Sequence, residues 1–165
     1  MKQESLAASY ITEAFLLLLE RKEFKEISVS DICKKAGVAR MSFYRHFASK
    51  EDVLRKWLAS ITDQFLVESG ISYKNDPLPD YFVKLFTHMQ KHKEICLALY
   101  KAGLIDLVKG QFERAFFLAH QGEYDAYKSC FHVGGIYNIF LAWLLDDCRL
   151  APEEIARKTG DLLHR

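Results

Sequence analysis

Residues 28–50 read SVSDICKKAGVARMSFYRHFASK, and this stretch gathers the side chains best equipped for chemistry. Arg40, Ser42, Tyr44, Arg45, His46 and Lys50 bring cations, hydroxyls and an imidazole to one place. Such a set suits an anionic polymer: cations and hydroxyls meet phosphate oxygens, and an Arg fork pairs with a guanine edge. It does not suit catalysis. The sequence holds no Gly-rich phosphate loop, no G-x-S-x-G elbow and no H-E-x-x-H, so an enzyme is not expected and no cofactor is implied.

Two short helices must position these residues. Ser28 and Ser30 are both N-cap candidates for the first, with Asp31 in its opening turn. Ile32 and Ala36 mark its inner face, and Gly37 ends it. The second runs from about Arg40 to Phe47. Val38, Phe43 and Phe47 form its apolar rear, leaving Arg40, Met41, Ser42, Tyr44, Arg45 and His46 to face out. Ser49 then caps a longer helix through the S-x-x-[DE] pattern ending at Asp52. Two short helices joined by a turn make a helix-turn-helix, whose second helix enters a major groove. Ahead of it, a helix over about 4–21 places Leu6, Tyr10, Ala14, Leu17 and Leu18 on one stripe, widened by Phe15 and Leu19.

The rest of the chain also reads as helix. Prolines occur only at Pro77, Pro79 and Pro152, and apolar residues recur at three- and four-residue spacing. The expected fold class is all-α. GISYKNDPLP at 70–79 is the clearest break, and further helices are expected at roughly 79–91, 94–101, 104–119, 123–146 and 152–163. Net charge is only +1, but residues 1–50 carry nine Lys and Arg against six Asp and Glu, a mildly basic head on an acidic body. The polar start Met1-Lys2-Gln3-Glu4-Ser5 does not read as a signal peptide, and no membrane span is present. A cytoplasmic protein is expected, with Cys33, Cys96, Cys130 and Cys148 as free thiols.

The segment 28–50 is similar to the DNA-binding head of the TetR family of regulators. Ile32, Ala36, Gly37-Val38, Phe43, the Tyr44-Arg45-His46-Phe47 unit and Lys50-Glu51 carry the resemblance. Met41 departs from it, standing where the family often has a small residue; it could touch a thymine methyl or fill space. The resemblance, together with charge chemistry, implies that Tyr44, His46 and Lys50 bind phosphates, with a hydroxyl contact from Ser28 or Ser30. Arg40 and Arg45 are the candidates for base edges, and Ser42 could serve either purpose. Tyr44 could also lie half-buried against the first helix. The resemblance further implies a head over 1–50, a connecting helix over about 49–69, and a body over 72–165 for effector binding and dimerisation. The expected partners are double-stranded DNA with a palindromic operator, a second copy of the chain, and a small effector or a partner protein.

The body resembles, through Gly134-Gly135-Ile136, Trp143 and Pro152-Glu153-Glu154, the regulators related to dihydroxyacetone-operon activators. Paired glycines inside a helix disfavour it by about 1 kcal/mol each relative to Ala, which close helix approach would offset. Gly134, Gly135, Phe140, Trp143, Leu144, Ile155 and Leu162 are therefore expected at a four-helix dimer interface, the alternative being contact within one protomer. Phe82, Phe86, Met89, Tyr100, Phe112, Phe116, Tyr127 and Phe131, in an aromatic interior that also includes Tyr124, could line an effector pocket or serve as plain core. His88, His92 and Cys96 share an i, i+4, i+8 spacing that could begin a metal site, although KHKE at 91–94 is expected to break the helix. The expected function is a homodimeric, operator-binding regulator modulated by a small effector. The alternatives are a co-regulator whose body binds a protein and a metal-responsive regulator.

Overall fold

The computed structural model describes residues 2–70, 78–120 and 125–163; Tyr124 lies outside these. Among the described residues there are nine α-helices and no strand. They are α1 (Lys2–Leu19), α2 (Val29–Ala36), α3 (Arg40–His46), α4 (Lys50–Ser69), α5 (Leu78–Lys91), α6 (Lys93–Lys101), α7 (Asp106–His120), α8 (Ala126–Leu145) and α9 (Pro152–Leu163). A single 3₁₀ turn, Phe24–Glu26, lies between α1 and α2. No helix of the described residues is long and apolar enough to cross a membrane.

Local chemistry sets the boundaries of the head. Ser28, not Ser30, caps α2: its Oγ accepts from the Asp31 N–H at 3.1 Å, and the Asp31 carboxylate accepts from the Ser28 N–H at 2.9 Å. These reciprocal bonds satisfy two N–H groups that a helix start leaves open. Gly37 ends α2 with φ of 68°, a left-handed conformation glycine takes without strain. Ser49 caps α4 by accepting from the Asp52 N–H at 3.3 Å.

α1 packs across α2, α3 and α4. Its buried face is Ile11, Ala14, Phe15 and Leu19. The expected stripe is thus displaced: Leu6, Tyr10 and Leu17 are exposed, because α2 and α3 approach from the side of Ile11 and Phe15. Phe43 joins this core from α3, Phe47 from just after its end, and Val53 and Leu54 from the start of α4.

In the body, α5 lies along α9, and α8 packs on both α7 and α9. Phe86 meets Trp143 edge-on at 5.4 Å between ring centroids, and Phe112 meets Phe140 at 5.4 Å. These contacts correct the expected dimer interface. Phe140, Trp143, Leu144 and Ile155 are buried within one protomer, because α5 and α7 cover that side of α8 and α9. Leu162 is exposed. A Cβ placed on Gly134 or Gly135 would meet nothing within 4 Å among the described residues, so no close helix approach inside the protomer accounts for them.

Candidate DNA interface and body cavity

α3 presents two faces, as its pattern requires. Phe43 is fully buried, while Arg40, Met41, Tyr44 and Arg45 are exposed and Ser42 and His46 are half-buried. Arg40 leans on Tyr44, with the guanidinium carbon 5.7 Å from the ring centroid and Nη2 donating to the hydroxyl at 3.4 Å. Tyr44 keeps 47% of its surface, enough for its hydroxyl to reach a partner outside the protein. Met41 is 75% exposed and fills no interior space.

Two expected contacts are already engaged. The Ser28 Oγ donates to the Asp31 carboxylate at 2.6 Å, which holds that carboxyl below its usual range and leaves the hydroxyl no free proton. Lys50 Nζ donates to the carbonyls of Phe24 at 2.6 Å and Ile27 at 2.9 Å, and sits 4.0 Å from the Phe24 ring centroid. An ammonium has three donors, so one remains for a phosphate. Ser30 is exposed.

Sequence reasoning missed Lys56. Its ammonium donates to the His46 carbonyl at 2.7 Å, pairs with Asp52 at 3.1 Å, and lies 5.1 Å from the Phe47 ring centroid. It holds the end of α3 against α4. The Asp52–Lys56 spacing of four residues was the available signal.

The body contains a cavity of about 60 Å³ lined by α4, α5, α7 and α8 and the start of α6. Met89, Phe112 and Phe116 line it as expected of pocket residues. Phe82 and Phe86 are instead solid core away from it, and Tyr100, Tyr127 and Phe131 are exposed, because their helix faces turn outward. The wall contributed by α4 comprises Leu58, Ile61, Thr62 and Phe65. Sequence reasoning also missed Gln111, whose Oε1 is buried without a hydrogen-bond partner among the described residues. A lone amide on the apolar face Val108, Phe112, Ala115 and Phe116 was the signal.

His88, His92 and Cys96 do meet at this cavity, although the helix breaks at His92 as the KHKE run suggested. The His88 and His92 rings are 4.9 Å apart, His88 tilts on Phe65 at 4.6 Å, and His92 meets Trp57 edge-on at 5.5 Å. Burial pushes His88 down to about 4 and the Cys96 thiol up to about 12. Among the described residues no group of three His, Cys, Asp or Glu could hold a metal ion.

A second concavity, about 400 Å³, opens on the surface between α7 and α8, beside Phe117, Cys130 and Gly134. Along α8 the exposed residues include Tyr127, Phe131, Ala142 and Leu145.

Residues 11–56 match the family described as bacterial regulatory proteins, tetR family, and residues 76–165 match the transcriptional regulator C-terminal region. The chain is 60% identical over 58 residues to the HTH-type transcriptional regulator EthR of Mycolicibacterium smegmatis, covering 35% of this chain and 25% of that protein. It is 34% identical over 58 residues to DhaS, the HTH-type dhaKLM operon transcriptional activator of Lactococcus lactis, covering 35% of this chain and 30% of DhaS. The matched segments thus span under a third of either relative. A solved TetR transcriptional regulator from Streptococcus agalactiae superposes with a TM-score of 0.73 at 18% identity, covering 99% of this chain and 97% of that one. FadR of Bacillus subtilis, solved in complex with stearoyl-CoA, does so with a TM-score of 0.61 at 17% identity, covering 94% and 96%. The chain belongs to the tetR family of bacterial regulatory proteins, transcription regulators whose DNA-binding element is here the α2–α3 helix-turn-helix.

Proposed function

We propose that the protein is a cytoplasmic, non-enzymatic regulator that binds a palindromic operator as a homodimer and releases or engages it on binding a small effector. Residues 1–50 serve as the reading head, α4 as the link, and 72–165 as the body. One observation carries this reading: α4 belongs to both parts. Its first turn is tied to the head through Lys50, and its later turns form a wall of the body cavity. A ligand that prefers one placement of that wall shifts the heads by its differential affinity for the two states.

In the groove, Arg40 and Arg45 read base edges, and Tyr44, His46 and the third donor of Lys50 hold phosphates. Ser30 is the better hydroxyl candidate, because Ser28 is engaged in its cap. The second copy covers the outward stripe of α8, Tyr127, Phe131, Ala142 and Leu145, with Leu162 of α9 beside it. The open space at Gly134 and Gly135 admits that copy closely. Twofold symmetry then sets the two α3 helices roughly 34 Å apart, one turn of DNA.

Selection of bound sequences from random DNA, followed by sedimentation of the complex, tests this. Palindromic sites bound by two protomers are expected; a single half-site bound by one protomer would refute it. A protein partner in place of the effector is the second reading. It is favoured by the cavity's small size against the roughly 300 Å³ where drug-sized ligands begin.

A further inference from the structure

The wall of the body cavity carries no formal charge. No Lys, Arg, Asp or Glu lines it. Its two histidines and its cysteine are held neutral at neutral pH, since burial lowers His88 to about 4, lowers His92, and raises Cys96 to about 12. A carboxylate or phosphate placed there would find no cation and would be strongly disfavoured. The Thr62 hydroxyl already donates to the Leu58 carbonyl at 2.8 Å. Gln111 is different: the residue lines this space, and its Oε1 is shut off from solvent and has no donor among the described residues. A buried acceptor left open is costly, and a ligand that supplies the missing proton recovers that cost.

The remaining walls define the ligand's body. Phe65, Phe112 and Phe116 offer aromatic surfaces to a ring. The cavity's 60 Å³ is less than the roughly 150 Å³ that holds benzene in an engineered core. Met89 lines the cavity, and its unbranched thioether chain is the apolar side chain there best able to rotate and enlarge the space.

We propose that the effector is an uncharged single-ring molecule of the phenol class, its hydroxyl donating to Gln111 Oε1 and its ring lying among Phe65, Phe112 and Phe116. This rests on the cavity being the effector site. Phenol and toluene test the donor directly, because they share a shape and differ in one O–H. Calorimetry on the full chain should show phenol binding about tenfold more tightly than toluene, the ratio expected for one satisfied buried acceptor. Benzoate should not bind. Gln111→Leu should abolish the preference while leaving toluene binding intact, and Met89→Ala should tighten both. Helical content of each variant, read by circular dichroism, confirms folding. Equal affinity for phenol and toluene, a preference surviving Gln111→Leu, or binding of benzoate would overturn the ligand class while leaving the cavity as the effector site. Binding of none of the probes, to wild type or to Met89→Ala, would overturn the cavity reading itself.

Discussion

The head and the body of this protein use their aromatic residues in opposite ways. In the head, Phe43 and Phe47 lock a short helix from behind so that Arg40, Tyr44 and Arg45 stand in solvent. In the body, Phe65, Phe112 and Phe116 line a largely apolar cavity together with Gln111, whose Oε1 is buried with no hydrogen-bond partner among the described residues. A surface that reads DNA needs a rigid rear and a wet front. A chamber that senses a molecule needs a dry wall with a single exception. On the proposed function, chemistry is displayed outward in one region and concealed in the other.

That contrast can be broken at several points. Phe43→Ala should remove the rear of α3, at about 3–5 kcal/mol, and abolish DNA binding; urea unfolding and fluorescence anisotropy would register both. A smaller loss would mean that α3 is held by its flanks. Phe131→Ser should weaken self-association about 30-fold, near 2 kcal/mol, with protomer stability unchanged, as sedimentation at several concentrations would report. Unchanged association would move the dimer face away from the α8 stripe.

Arg45 and Lys50 divide the head itself. Arg45→Ala should relax sequence preference by about 1–3 kcal/mol at one base pair and leave melting unaltered. Lys50→Ala should act twice. It should weaken binding to every sequence and reduce the salt slope by about one phosphate. It should also lower the melting temperature, because the Phe24 and Ile27 carbonyls lose their donor. If the two variants behaved alike, the separation of base from phosphate contacts would fail.

A weaker effect belongs to the body in mild acid. His88 titrates at 6.5 when unfolded and at about 4 in the fold. Between those values the unfolded chain holds the extra proton, so this contribution to stability is complete above pH 6.5 and declines as the pH falls toward 4. Melting curves across that range should show the slope, and His88→Gln should reduce it. Smallest of all, Met41→Ala should change stability by no more than about 0.5 kcal/mol, and any larger change in DNA affinity would identify Met41 as a groove contact.

What could be read beforehand follows the same division. Ser28, Gly37 and Ser49 declare the head's helix ends because caps act within a few residues. The outward face of α3 was legible for the same reason. Lys50 was read only as a phosphate contact, since its carbonyl partners lie 26 and 23 residues away. In the body, α8 is apolar nearly all round, so periodicity could not decide that Phe140 and Trp143 face α7, α9 and α5 while Tyr127 and Phe131 face out. Residue type alone placed Tyr100, Tyr127 and Phe131 at a pocket they do not touch. The cavity takes its walls from five helices, and no local pattern encodes such a meeting.

The length of α4 gives the molecule mechanical gain. Twenty residues at 1.5 Å each make a rod of about 30 Å, with the body cavity along one part and the head at the other end. A tilt of about 5° would carry the far end by roughly 2–3 Å, and a partner moving oppositely would double the change in spacing. In the proposed homodimer, a side chain displaced by less than its own width in the cavity would be converted, by leverage alone, into a misfit between two heads and one turn of DNA.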